Sequence, residues 1–259
     1  MEIALALFWN LVSALPSSVN RTVNHREVNG ILLLDKPKGI TSNAALQMAK
    51  RLFKARKAGH SGSLDPIATG LLPICFGAAT KCAGFLLDSD KHYQTTALLG
   101  IQTDTGDIEG NILNERPVPA LAPETLEKIL AAFRGPLSQI PPMYSAIKHQ
   151  GQPLYKLARQ GIVIEREPRA IVIHELSLLD YANHQLRLEI RATKGTYVRT
   201  LVEDIGEALG CGAHVVELRR LGTGPYAADQ MLPFETLMKT VDQEGLEGLD
   251  QHLLPFETR

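Results

Sequence analysis

The amino-acid sequence predicts an α+β fold, in which helices flank a central mixed or antiparallel sheet. Segments typical of strands and of helices follow one another without the regular alternation that a parallel βαβ sheet requires. Hydrophobic residues make up 44% of the 259 residues, which is enough to bury a substantial core. The sequence shows no evident internal repeat or low-complexity tract, so a repeat architecture is not expected.

Local patterns justify each element in the first half of the chain. Residues 30–34 form a short apolar run typical of a buried strand, and a Lys-Pro-Lys-Gly turn follows. Ser42 is a suitable cap for a helix that extends to about residue 55 with its apolar residues on one face. Residues 93–101 alternate as a strand does, and residues 106–114 are typical of a loop.

The second half of the chain is predicted to contain two helices, a hairpin and a further strand. The first helix spans residues 123–133 and begins at a proline, which the first turn of a helix tolerates. Residues 171–179 and 185–192 are predicted to pair as a hairpin. The second helix, over residues 196–209, ends at a glycine, and residues 215–221 return as a strand.

Charge is distributed unevenly along the chain. The formal net charge is −1, but residues 227–259 carry −5 and the remainder of the chain therefore carries +4. A run of five cations with no intervening acid comprises Lys50, Arg51, Lys54, Arg56 and Lys57. Such a run is often a solvated helix face. Because this one leads directly into a glycine-rich loop, we expect it to face the phosphates of a nucleic acid.

Several classes of protein are not expected. The three cysteines show no C-x-x-C pair and the eight histidines no metal-ligand spacing, so the sequence predicts reduced thiols, a cytoplasmic protein and no metal site. The first 16 residues are apolar but lack a basic leader, and they are shorter than the roughly 20 residues of a membrane span. We therefore expect no secretion signal and no membrane partner.

The segment GHSGSLDPIATGLLP, residues 59–73, is the most informative feature of the sequence. It carries Asp65, the only carboxylate between Asp35 and Asp88, among glycines and small polar residues. Pro66 favours an extended conformation at Asp65, and the glycines allow another molecule to approach closely. An Asp-Pro turn whose carboxylate caps its own backbone is the simpler interpretation. The other interpretation is a carboxylate presented to a substrate.

Six blocks in this sequence resemble the TruB family of tRNA pseudouridine synthases, in the order that the family has them, over roughly residues 29–255. The blocks are LLLDKPKGITS (32–42), GHSGSLDPIATGLLP (59–73), KHYQTTALLG (91–100), QIPPMYSAIKHQGQPLYKLARQG (139–161), TKGTYVRTLVEDIGEALG (193–210) and GAHVVELRRLGTGPY (212–226). The resemblance implies the pseudouridine synthase fold, with the active-site cleft across the central sheet.

The resemblance also implies roles for single residues. Asp65 matches the family's catalytic nucleophile and Arg199 its ion-pair partner, which is expected to meet the carboxylate bidentately. Tyr93 matches the tyrosine that stacks on the target base and is a candidate acceptor of the C5 proton. Tyr197 and Leu218 match residues that line the base pocket, and His60 matches a histidine that inserts beside the flipped nucleotide. Taken alone, Arg199 reads as a surface arginine, His60 as a solvated loop residue, and Tyr93 and Leu218 as core residues.

Other residues of the blocks are assigned to support. Lys36, Pro37 and Ser42 are expected to brace the Asp65 loop, and one of Arg219 and Arg220 to reach a phosphate. By resemblance, residues 1–28 are a non-family N-terminal extension, expected to be disordered, and residues 29–226 are the catalytic domain. Residues 227–259 are an acidic segment that leads to an absent RNA-binding domain of the PUA type.

The implied activity is isomerisation of the uridine at position 55 in the T-loop of tRNA to pseudouridine. The target base is flipped out of the RNA before the aspartate reacts. The sequence leaves open whether the aspartate attacks the ribose C1′, attacks the base C6, or begins glycal formation at C2′. The reaction requires no cofactor, and we expect a monomer with no obligate protein partner. The alternative is a non-catalytic tRNA-binding chaperone that refolds the elbow of tRNA.

Overall fold

The computed structural model of the protein describes residues 25–256, so residues 1–24 of the predicted extension over residues 1–28 lie outside the described residues. Its centre is a mixed nine-stranded sheet. The strands are β1 (Gly30–Lys36), β2 (Ala58–His60), β3 (Thr69–Phe76), β4 (Lys91–Leu99), β7 (Gly135–Gln139), β10 (Arg169–Ala182), β11 (Gln185–Ala192), β12 (Ala213–Thr223) and β13 (Tyr226–Ala227). Two small hairpins pair β5 (Ile101–Thr103) with β6 (Ile112–Glu115) and β8 (Lys148–His149) with β9 (Gln152–Pro153).

The main sheet runs in the order β1-β3-β12-β4-β11-β10-β7, with β2 paired to β3 and β13 to β12. All of these pairs are antiparallel except β12 with β3, which are parallel. The mixed sheet confirms the predicted α+β class. The parallel pair joins the end of the 59–73 segment to β12, so two distant parts of the chain meet in the middle of the sheet.

Within residues 25–256, six α-helices surround the sheet: α1 (Ser42–Leu52), α2 (Ala83–Asp88), α3 (Pro123–Ala132), α4 (Leu154–Ala158), α5 (Val198–Ala208) and α6 (Phe234–Gly248). The main hydrophobic core takes buried residues from α1, α3, α5 and α6 together with the sheet. The segment beyond β13 lies along β1, where Leu232 and Leu254 exchange backbone hydrogen bonds with the strand. No helix among residues 25–256 has the length and apolar character needed to cross a bilayer.

Residues 25–28, which the sequence analysis assigned to the extension, contact the domain. The Arg26 amide donates to the Lys54 carbonyl over 2.8 Å, and the Arg26 guanidinium pairs with Asp250 over 2.5 Å. Val28 is buried in the main core.

The predicted elements all have counterparts in the structure, with shifted ends. The hairpin forms as β10 and β11, but it is joined by only Asn183 and His184, both at positive φ, rather than by residues 180–184. The predicted strand over residues 93–101 breaks at Gly100 into β4 and β5. Within the predicted loop over residues 106–114, the last three residues belong to β6 instead.

The prediction was wrong about the cap of α1 and about the extent of the Asp65 loop. Thr41, not Ser42, caps the helix, since its side chain accepts a hydrogen bond from the Ala44 amide over 3.1 Å. The loop spans only residues 61–68, because residues 58–60 and 69–76 pair as β2 and β3. The Asp65 loop is therefore tied into the sheet at both ends.

Gly70 is required by the parallel contact between β3 and β12. It has a φ of +101°, and a Cβ at this position would lie 2.2 Å from the Arg220 carbonyl oxygen. The clash is with backbone, so no side-chain movement relieves it, and the positive φ adds strain for any other residue.

Gly70→Ala is expected to destabilise the fold by about 3 kcal/mol or more, because the two strands must separate to admit a methyl group. Urea unfolding followed by circular dichroism measures the change. Gly84→Ala is the matched control, since Gly84 lies in α2 and a Cβ there meets nothing within 4 Å. A loss below about 1 kcal/mol at Gly70 would contradict the close contact.

Candidate active site

A pocket of about 290 Å³ opens at the Asp65 loop, between β4, β12 and the first turn of α5. This volume is at the lower end for ligand pockets and suits a single base. Five of the six predicted site residues line it: Asp65, Tyr93, Tyr197, Arg199 and Leu218. Asp65 supplies the only carboxylate among the described lining residues. Sequence reasoning thus selected residues that the fold brings together from four separate segments.

The Asp65 loop is held by the turn that precedes α1. The Ser42 hydroxyl accepts from the Leu64 amide over 2.7 Å and donates to the Leu64 carbonyl over 3.1 Å. The Gly39 amide donates to the Pro66 carbonyl over 2.8 Å. The residues on both sides of Asp65 are therefore fixed, as the bracing role assigned to Ser42 requires.

Lys36 supports the same turn from within the protein. Its side chain is fully buried, and its ammonium donates to the carbonyls of Pro37 and Ile40 over 2.9 and 2.8 Å. Burial lowers the pKa of Lys36 to about 8, while the negative charge of Asp65 opposes that change. The lysine thus holds the turn and lies close enough to Asp65 for their charges to interact.

Arg199 pairs with Asp65 through a single nitrogen. Its Nε lies 2.9 Å from the Asp65 Oδ2, and the arginine side chain is only 4% exposed. Its two terminal nitrogens donate over 2.7 Å to the backbone carbonyls of Thr105 and Tyr144. The predicted bidentate contact is wrong, because the planar end of the guanidinium is occupied by these two carbonyls. Arg199 therefore joins three segments at the pocket.

Asp107 is a second carboxylate beside Arg199, and sequence reasoning missed it. Its Oδ2 lies 3.6 Å from the Arg199 Nη1, and its side chain is 7% exposed. Its Oδ1 accepts from the Thr105 hydroxyl over 2.7 Å and from the Glu109 amide over 3.0 Å. The DTGD sequence signals a turn in which an Asp bonds to nearby backbone. Nothing local in it indicates an arginine supplied by α5.

The Asp65 carboxyl faces the pocket, with 39% of its side chain exposed. The desolvation imposed by the surrounding protein raises the pKa of Asp65 above its ordinary value. The positive charge and hydrogen bond of Arg199 oppose this change, whereas the negative charge of Asp107 adds to it. Arg199 is thus the main group that favours the ionised form.

The walls of the pocket are aromatic and aliphatic. Tyr93 lies on β4 and Leu218 on β12, two register positions apart on the paired strands. Tyr197 immediately precedes α5, and its backbone is held by the Gln139 side chain through hydrogen bonds of 2.8 and 3.1 Å. Burial raises the pKa of the Tyr197 hydroxyl. Gln139 therefore helps to position Tyr197, a role that the sequence alone did not indicate.

Three other residues differ from their expected setting. His60 is not among the residues that line the pocket; it ends β2, and burial lowers its pKa. Arg219 makes a two-pronged pair with Asp35, over 2.7 and 3.0 Å. Arg220 is 1% exposed. The phosphate contact predicted for one arginine of this pair stays a prediction for Arg219, because Arg220 is almost completely buried.

Residues 50–198 match the N-terminal domain of the TruB family of pseudouridylate synthases, and residues 199–259 match the C-terminal domain of tRNA pseudouridylate synthase B. The chain belongs to the TruB family. A tRNA pseudouridine synthase B of Coxiella burnetii (strain Dugway 5J108-111) is 59% identical over 90% of this chain and 75% of its own length. One of Tolumonas auensis is 52% identical over 93% of this chain and 76% of its own length.

Solved structures agree with this assignment. A chain in the crystal structure of a Cbf5-Nop10-Gar1 complex superposes with a TM-score of 0.70 at 26% identity. The match covers 91% of this TruB-family chain and 62% of the solved chain. This chain therefore spans less than two thirds of the length of that protein. The superposition supports the pseudouridine synthase fold that the sequence resemblance implied.

This TruB-family pocket presents one carboxylate, two phenols, an apolar wall and three buried cations, namely Lys91, Arg199 and Arg220. Among residues 25–256, no three His, Cys, Asp or Glu side chains form a cluster of the kind that holds a metal ion. The pocket residues suit chemistry in which a carboxylate reacts with a flat, uncharged ring held between hydrophobic surfaces.

Glu203 follows Arg199 by one turn on α5 and is a half-buried carboxyl that the pocket does not use. Its carboxyl packs against Gly106, where a Cβ would lie 2.9 Å from the Glu203 Cδ. Burial raises the pKa of Glu203 from 4.5 to about 7, while Arg199 opposes that rise. Ionising this group is therefore unfavourable in the folded protein.

Glu203→Gln is expected to raise the melting temperature by several degrees at pH 8 and to leave it unchanged near pH 4. The folded pKa is above the unfolded one, so the wild type loses stability as pH rises from about 4.5 through about 7. A neutral glutamine removes that loss. Calorimetry across this pH range tests the expectation, and Glu115→Gln, at an exposed position, is the control. A pH-independent difference would contradict the assignment.

Proposed function

We propose that this protein converts the uridine at position 55 in the T-loop of tRNA to pseudouridine, with Asp65 as the nucleophile. The observation that carries the proposal is one exposed carboxylate, held by a buried arginine, at the mouth of a base-sized pocket walled by Tyr93, Tyr197 and Leu218. The names of the TruB-family relatives support tRNA as the substrate. A protein that only binds tRNA would not need this carboxylate.

The reaction breaks the bond between N1 of the base and C1′ of the ribose, and forms a bond between C5 and C1′. The C5 proton is lost and N1 gains a proton, so the product is an isomer and no electrons are gained or lost. Asp65 starts the exchange at C1′, at C6 or at the C2′ proton. Arg199 favours the ionised form of the carboxylate and fixes its direction.

The base must leave the T-loop before Asp65 can reach its sugar. Tyr93 then provides the stacking surface and is the candidate acceptor of the C5 proton, while Tyr197 and Leu218 enclose the base edge. His60 ends β2 only a few residues before Asp65, and we propose that it stacks in the gap left by the flipped nucleotide. The alternative chaperone activity would use the same base-flipping contacts without the chemical step.

We also propose the setting in which the reaction takes place. Residues 29–226 are the catalytic domain, and residues 227–259 are an acidic segment beside it. The protein acts in the cytoplasm as a monomer without an obligate protein partner. The free thiols of Cys75, Cys82 and Cys211 support a reducing compartment such as the cytoplasm.

Tritium release from tRNA labelled at C5 of uridine tests the proposed function. The wild-type protein should release about one equivalent per tRNA, and a tRNA whose position 55 is already pseudouridine should release none there. Tight binding without release from either tRNA would replace the isomerase with the chaperone. Release of several equivalents would contradict the single target.

The basic residues at the end of α1 are expected to bind tRNA phosphates. Arg51→Glu combined with Lys54→Glu should weaken tRNA binding about tenfold and reduce the salt dependence of the binding constant, because about two phosphate contacts are lost. Filter binding at several salt concentrations measures both quantities. The control variant, Lys128→Glu with Lys239→Glu, changes the same charge on exposed positions of α3 and α6. Equal effects of the two variants would show that only net charge matters.

A further inference from the structure

Arg220 is a buried cation without a carboxylate partner among the described residues. Its side chain is 1% exposed, and none of the ion pairs between residues 25 and 256 includes it. A charge in such a setting is unfavourable unless its donors are all satisfied. Its Nε donates to the Leu71 carbonyl over 2.7 Å, and its Nη2 donates to the Gly62 carbonyl over 3.1 Å. These two bonds use only some of the five N–H donors of the guanidinium.

Tyr93 is the neighbour of Arg220 on the adjacent strand. Arg220 and Tyr93 are register partners on β12 and β4, so their side chains leave the sheet side by side, and both line the pocket. Burial lowers the pKa of Arg220 and the Tyr93 hydroxyl opposes that change, so the two groups lie close enough to interact.

The same guanidinium also fixes the start of the Asp65 loop. Gly62 has a φ of +75°, and a Cβ there would lie 3.4 Å from the Arg220 Nη1. The loop thus passes directly over the arginine, with its carbonyl turned towards it. One side chain connects Tyr93 with the loop that carries Asp65.

We propose that Arg220 is a positioning residue that orients the Tyr93 hydroxyl towards the target base. A guanidinium has donors and no acceptor, so the Tyr93 oxygen can only accept from it. The phenolic proton is then directed away from the arginine and into the pocket. The inference rests on the proposed isomerase activity.

A double-mutant cycle tests whether Arg220 acts through Tyr93. We expect Tyr93→Phe and Arg220→Gln each to slow single-turnover tritium release about tenfold or more, and the double variant to be no more than about threefold slower than the worse single one. Arg219→Gln is the matched control: it is the neighbouring arginine, its partner is Asp35, and its effect should multiply with that of Tyr93→Phe. Multiplying effects of Arg220 and Tyr93 would overturn the proposal.

A second measurement on the free protein does not depend on activity. 3-Fluorotyrosine at position 93 should show a shifted ¹⁹F resonance in Arg220→Gln and an unchanged one in Arg219→Gln. If Arg220→Gln fails to fold, Arg220→Met removes the same donor without a buried amide and takes its place in both measurements. An unchanged resonance in the Arg220 variant would overturn the inference even if wild type is active. A shifted resonance in a protein that releases no tritium would support the contact and reject the isomerase.

Discussion

Asp65→Asn is expected to lower the rate of tritium release by roughly 10⁴-fold or more, since it removes the only carboxylate that the described pocket presents. Asparagine has nearly the same shape and can still accept a hydrogen bond from Arg199. The pocket should therefore keep its form, and tRNA binding should change by less than about threefold. Single-turnover tritium release and filter binding with the same tRNA separate the two effects.

Asp88→Asn is the matched control for this substitution. Asp88 is an exposed carboxylate that pairs with Lys194 outside the pocket, and its loss should leave the rate unchanged. Full turnover by Asp65→Asn would remove the nucleophile assignment. Equal losses of binding and of rate would instead indicate that Asp65 serves to hold the RNA.

The pH dependence of the wild type offers an independent view of Asp65. The nucleophile must be ionised, and desolvation raises the pKa of Asp65 above its ordinary 3.8. Activity should therefore fall as pH decreases through a value above 3.8. The sign follows because protonation removes the reactive form.

Local sequence pattern located three of the helices and part of the sheet, but not the contacts between them. Amphipathic spacing and terminal residues located α1, α3 and α5 to within a few residues, because those signals lie inside each helix. β3 was missed, because its eight residues are almost all buried and include Gly70 and Pro73, which normally argue against a strand interior. The partner that explains Gly70, the backbone of Arg220, comes from β12.

In the candidate site, too, the sequence predicted residues but not the contacts that hold them. Family resemblance supplied Asp65 with Arg199, and the structure brings them together. It did not supply the carbonyls of Thr105 and Tyr144 that occupy the end of the arginine, because backbone acceptors have no sequence signature. Asp107 was missed for a related reason, since a carboxylate in a turn is usually explained by its own neighbours.

Arg199→Lys should slow the reaction about 100-fold or more although the charge is kept. One ammonium cannot serve Asp65 and the carbonyls of Thr105 and Tyr144 together, so two buried acceptors lose their donor and Asp65 loses its orientation. We expect the loss mainly in kcat, with a lower melting temperature. Arg191→Lys, at an exposed pair on β11, is the control and should be neutral. A rate within threefold of wild type would remove Arg199 from the site.

Removing the charge of Arg199 or the charge of Asp107 gives a sharper test, since the two changes shift the pKa of Asp65 in opposite directions. Arg199→Gln removes the cation that lowers the pKa of Asp65, so the acid limb of the rate profile should move to higher pH. Asp107→Asn removes an anion that raises the pKa of Asp65, so the limb should move to lower pH. Both variants are expected to be slow, but the pH at which the acid limb falls does not depend on the maximal rate. Shifts in the same direction would mean that the group titrating in the profile is not Asp65.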